Sequence, residues 1–100
     1  MDATRLGTFV EQIWEDAAVP ALTEYMRIPN KSPAFDPDWE AHGYMRDAVS
    51  LMEVWARDHL PKNATLEIVR LSGRTPLMFI ESPGESSATV LLYGHLDKQP

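Results

Sequence analysis

A histidine and an aspartate two positions apart, His95 and Asp97, follow a mostly apolar run from Ala88 to Tyr93 and a single glycine, Gly94. A neutral imidazole nitrogen makes a short bond to zinc, and a carboxylate on the other ring nitrogen fixes the ring and raises its basicity. In extended backbone, residues two apart share a face, so His95 and Asp97 meet if the extension persists through Leu96. The apolar run reads as a rigid strand, and Gly94 lets the chain turn tightly after it. In open α/β sheets the carboxyl ends of strands border the ligand crevice, which is where this pair would stand. On spacing alone the plainer reading, a structural histidine satisfied by a nearby carboxylate, outweighs the catalytic one, and one histidine does not make a zinc site.

The remaining polar residues read as structural. His42 and His59 lie too far apart on one helix to form a local ligand pair, so surface or satisfied roles suit them. Asp36 and Asp38 fit helix capping and the positive end of a helix dipole. Arg74, in a turn between two strands, is suited to an acidic group but reads more simply as a solvated turn residue. Ser32 and Ser72 have no neighbouring base in sequence that would make them nucleophiles.

The positioning elements follow from periodicity. Leu6, Val10, Ile13 and Ala17, broadened by Phe9 and Trp14, form the stripe of an amphipathic helix. Thr8 and Glu11 fit a capping box, with an earlier start near Thr4 as the alternative. Pro20 predicts a kink or a fresh start, after which Leu22, Tyr25 and Met26 resume the spacing. From Ile28 to Pro37 three prolines make a stiff connector. Asp36 as N-cap and Pro37 at the first helical position open a second helix. Its stripe is Tyr44, Ala48, Leu51 and Trp55, flanked by Met45, Val49 and Met52, and Pro61 ends it. Its methionines and tryptophan read as core.

Three strands are then expected, at Thr65 to Leu71, Leu77 to Glu81 and Thr89 to Tyr93, the last two buried on both faces or nearly so. Their connections are too short for a parallel crossover, so neighbours run antiparallel. The expected class is α/β: two amino-terminal helices packed on an antiparallel three-strand meander, forming the edge of a larger mixed α/β/α sheet.

Composition narrows the function. The 100 residues make at most one domain, and 44% hydrophobic with 24% charged residues suits a folded globular chain. The net charge of -6 comes without a basic cluster, which argues against nucleic acid as partner. No stretch approaches the roughly 18 apolar residues of a membrane span, and the acidic start lacks the pattern of an export signal. The absence of cysteine excludes thiolate ligands and a cysteine nucleophile and fits a reducing compartment, so a cytoplasmic location is expected.

The segment Tyr93-Gly94-His95-Leu96-Asp97-Lys98-Gln99-Pro100 resembles the first metal-binding motif of the zinc aminoacylase, carboxypeptidase and dipeptidase family, with wording closest to carnosinase-like dipeptidases. Pro20-Ala21-Leu22-Thr23-Glu24-Tyr25, Arg27-Ile28-Pro29-Asn30-Lys31-Ser32-Pro33 and Gly73-Arg74-Thr75-Pro76 resemble segments that precede this motif, so the likeness spans nearly the whole chain. It implies that His95 is a ligand to one zinc of a co-catalytic pair and that Asp97 is the supporting aspartate counted as catalytic. It further implies that residues 1–100 are the amino-terminal part of a metallopeptidase catalytic domain, inactive alone and able to hold zinc only weakly. The bridging aspartate, the paired glutamates, a further carboxylate, a distant histidine and a smaller, usually dimerising domain would lie downstream. The implied activity is hydrolysis of dipeptides or short peptides. An N-acyl amino acid amidohydrolase with the same opening motif, or a non-catalytic binding module, are the alternatives.

Overall fold

A computed structural model describes all residues, 1–100. The amino-terminal third is one long helical run. Asp2 caps it, its carboxylate accepting from the amides of Thr4 and Arg5, so α1 spans Ala3–Ile13 and starts at the earlier of the two expected sites. Trp14–Ala18 is a π-helical turn, in which the Val19 amide donates to the Trp14 carbonyl, and α2 continues over Val19–Arg27. The expected break at Pro20 takes this form. Proline has no amide to donate and crowds the preceding turn, and the wider π turn before it accommodates both defects.

Residues 28–38 form the stiff connector. Asp36 does not cap a helix as expected. The short helix α3 spans Trp39–His42 with Asp38 in the N-cap position, while the Asp36 carboxylate is taken by His42. Gly43, at φ 74°, closes α3 in a left-handed conformation that other residues adopt only under strain, and α4 then runs Tyr44–His59. His59 ends α4, its Nδ1 lying 2.7 Å from the Trp55 carbonyl and its ring stacked 4.0 Å from that of Trp55.

Strands β1 (Thr65–Val69) and β2 (Leu77–Glu81) form the expected antiparallel hairpin, with Thr65 opposite Glu81 and Val69 opposite Leu77. Its turn closes through an Arg74 amide to Leu71 carbonyl bond, with Gly73 at φ 71° in the position that favours glycine. The fold is therefore mixed α/β with a two-stranded sheet. The third expected strand differs: residues 89–93 pair with no strand, and Val90 to Tyr93 are 85–89% exposed. Both faces of that run are apolar, and nothing in the chain covers either one. Adding it to β2 would only widen an apolar surface facing water. The expected burial of β2 on both faces is likewise absent, since Leu77, Phe79 and Ile80 are exposed.

Only six residues are buried, and four of them, Met45, Ala48, Val49 and Ala56, lie along α4. The core stripe of α4 is thus displaced from the expected one, leaving Tyr44 exposed and Trp55 half-buried. The stripe of α1 is uncovered: Leu6, Phe9, Val10, Ile13 and Trp14 are all exposed, and within the first helical run it is α2 that packs on α4. The radius of gyration, 16.1 Å, exceeds the ~13 Å of a compact chain of this length.

Candidate metal-ligand pair

The terminal segment crosses the end of α2 and runs parallel to the connector, where Lys31 and Lys98 form a bridge. The Lys98 amide donates to the Asn30 carbonyl at 2.9 Å, and the Ser32 amide donates to the Lys98 carbonyl at 2.8 Å. Extension therefore persists through Leu96, and His95 and Asp97 come together as the spacing predicts. His95 Nδ1 lies 2.9 Å from Asp97 Oδ1 and 2.9 Å from the Asp97 carbonyl oxygen.

Both of those oxygens only accept, so Nδ1 carries the ring proton and the lone pair of a neutral imidazole resides on Nε2. Nε2 has no hydrogen-bond partner, and the side chain is 62% exposed. The Asp97 carbonyl and carboxylate together raise the His95 pKa above its ordinary value. A ring oriented by a carboxylate, with its second nitrogen free, has the donor chemistry of a zinc ligand. It offers a single donor atom. No group of three or more histidine, aspartate or glutamate side chains converges in the chain.

Behind the pair lies a polar knot that local sequence patterns do not reveal. Asn30 is 1% exposed and donates from Nδ2 to the Leu96 carbonyl at 2.8 Å. The Tyr25 hydroxyl donates to the same carbonyl. Burial pushes the Tyr25 phenol pKa up, and the nearby Asp97 carboxylate adds to the rise. Lys98 Nζ reaches the carbonyls of Tyr25 and Ile28 at 2.7 and 2.5 Å and Asn30 Oδ1 at 2.5 Å, and stands 3.8 Å from the centre of the Tyr25 ring. In sequence Lys98 is a lysine between Asp97 and Gln99, which says nothing of a partner some seventy positions away.

The other singled-out residues lie apart from this pair. Arg74 lines a cavity of about 380 Å³, together with Arg46, Arg70, Trp39 and Glu40, and none of residues 95–98 borders it. His42 Nδ1 sits 2.8 Å from Asp36 Oδ2, and the hydrogen bond and charge of Asp36 raise the His42 pKa above 6.5. The pair stabilises the fold fully below the unfolded-state value, and that contribution fades as pH rises through the folded value. An NMR titration is expected to place the His42 midpoint above 6.5, and Asp36→Asn should return it towards that value. An unchanged midpoint in the variant would remove Asp36 as the cause.

No helix is long and apolar enough to cross a membrane. Compared with known proteins, the chain matches no family model and no curated sequence.

Proposed function

We propose that the chain forms the amino-terminal part of the catalytic domain of a zinc-dependent hydrolase that cleaves dipeptides or short peptides. The observation that carries this reading is the His95 ring, held at Nδ1 by Asp97 with Nε2 free, inside a segment that resembles the family's first metal motif. In this reading His95 donates one ligand bond and Asp97 keeps the ring in the required tautomer. A pair of bound zinc ions would polarise the scissile carbonyl and supply hydroxide near neutral pH. The remaining ligands and the general base belong to sequence outside residues 1–100.

The exposed apolar surfaces support a larger domain. Val90 to Tyr93, Leu77, Phe79 and Ile80 of β2 and the α1 stripe are all exposed apolar residues, which neighbouring elements of a larger domain would cover. With neighbouring strands and helices in place, residues 89–93 become the third strand of the meander at the edge of a mixed sheet. The family likeness implies a homodimeric parent, and a cytoplasmic, reducing setting fits the cysteine-free composition.

The test is an assay of the full-length polypeptide that carries these residues, with and without zinc, on dipeptides and on N-acyl amino acids. Zinc-dependent cleavage of dipeptides in preference to N-acyl amino acids is the expected result. Preference for N-acyl amino acids would replace peptidase by deacylase, and inertness towards both would remove the hydrolase reading.

A further inference from the structure

His95 and Asp97 form hydrogen bonds only with each other, so the pair itself holds neither residue to the rest of the molecule. Residues 96 and 98 supply that anchorage. The alternation of extended backbone sends the Lys98 side chain to the side opposite those of His95 and Asp97, while the Leu96 carbonyl and the Lys98 amide and carbonyl point laterally to the connector. The Leu96 carbonyl, between the paired residues, accepts from both Asn30 Nδ2 and the Tyr25 hydroxyl. Lys98 is tied through its backbone on both sides and through all three hydrogens of its ammonium group.

Two of the three acceptors around Lys98, the carbonyls of Tyr25 and Ile28, belong to the end of α2. They carry the partial negative charge of a helix C-terminus, which favours a cation there. Asn30 closes the arrangement, its Oδ1 accepting from Lys98 while its Nδ2 donates to Leu96 two residues away. No buried side-chain polar atom in the molecule lacks a partner. Removing the ammonium group would leave the Ile28 carbonyl and Asn30 Oδ1 without their donor, take one of two donors from the Tyr25 carbonyl, which also accepts from the Ile28 amide, and loosen the segment on the far side of the His95–Asp97 pair.

We infer that Lys98 is a positioning residue: by locking residues 96–98 onto Asn30 and the end of α2, it sets the geometry in which Asp97 holds the His95 ring. The catalytic meaning of that geometry rests on the hydrolase reading, while the lock itself does not.

The experiment reads the tautomer of the His95 ring from its imidazole nitrogen shifts, at a pH where the ring is neutral, in the 100-residue chain. The wild type is expected to show the Nδ1–H form. Lys98→Met, which keeps the aliphatic stem, is expected to revert to the Nε2–H form that dominates in a free histidine and to speed exchange of the Ser32 amide. Lys62→Met, in an exposed loop, should leave both unchanged. Tyr25→Phe removes one of the two donors to Leu96 and should produce a smaller change in the same direction, which keeps the test decisive if Lys98→Met fails to fold. A folded Lys98→Met protein that retains the Nδ1–H form, or a Tyr25→Phe protein with no change where Lys98→Met is unfolded, would overturn the inference. In the full-length polypeptide, Lys98→Met should lower kcat by about tenfold or more with little change in KM, the effect of a residue that supports a metal ligand. A tautomer change in the chain beside an inert full-length wild type would uphold the lock and sink the hydrolase reading.

Discussion

On the proposed hydrolase reading, His95→Ala should abolish zinc-dependent hydrolysis by the full-length polypeptide and lower its zinc content. Its effect should exceed that of Asp97→Asn, because the two substitutions remove different things. Alanine at 95 would delete the proposed ligand atom, and residues 1–100 hold no group of three or more histidine, aspartate or glutamate side chains that could replace the lost bond. Asparagine at 97 can still accept from His95 Nδ1 but lacks the negative charge that raises the ring's basicity. Loss of such a supporting carboxylate typically costs about 10–100-fold in metal affinity or activity. The order is checked by measuring bound zinc and kcat/KM for both variants. Equal activity in His95→Ala and wild type would exclude His95 as a ligand.

Val49→Asp is expected to abolish cooperative unfolding of the chain, as followed by urea denaturation. Val49 is 1% exposed and is, with Asn30, one of the two largest fully buried side chains. Withdrawing it forfeits about 1.5–3 kcal/mol of apolar burial. A carboxyl group without a partner in its place adds a penalty of at least similar size. Small domains hold only about 5–15 kcal/mol in total, and this one has few other buried side chains to spread the loss over. Val49→Ala, which deletes two methyl groups, should instead move the midpoint by an amount corresponding to about 1.5–2 kcal/mol, at roughly 0.8 kcal/mol for each buried carbon. Retention of a wild-type midpoint in Val49→Asp would mean that α4 does not carry the core.

Local periodicity was enough to locate the long helices and the β1–β2 hairpin, because each is specified by residues a few positions apart. The meeting of His95 with Asp97 was legible for the same reason, since a two-residue spacing in extended chain decides it. What covers an apolar stripe is not a local property. Leu6, Val10 and Ile13 have the spacing of a buried helix face and remain in water because no segment of the chain lies over them. The run at 89–93 has the composition of a strand, yet strand formation also requires an edge to join and a surface to pack against. Asp36 has a capping residue's chemistry, and His42 competed successfully for its carboxylate. Lys98 and Asn30 were hidden most completely, since their function arises only when positions about seventy residues apart are brought together.

The π turn at Trp14–Ala18 also changes how the two ends of the first helical run relate. A residue in an ordinary α-helix advances about 100° around the axis, so the turn's one surplus residue offsets everything before it by that angle. It acts as a phase shifter between two faces with different obligations: the carboxyl end must present Tyr25 and its carbonyl to Lys98, while the amino end aims its apolar stripe elsewhere. Substitutions along α1 can alter what the stripe binds but not the direction in which it points. Only a change of length within those five positions can re-aim it, and such a change would do so without touching a single residue of the Lys98 lock.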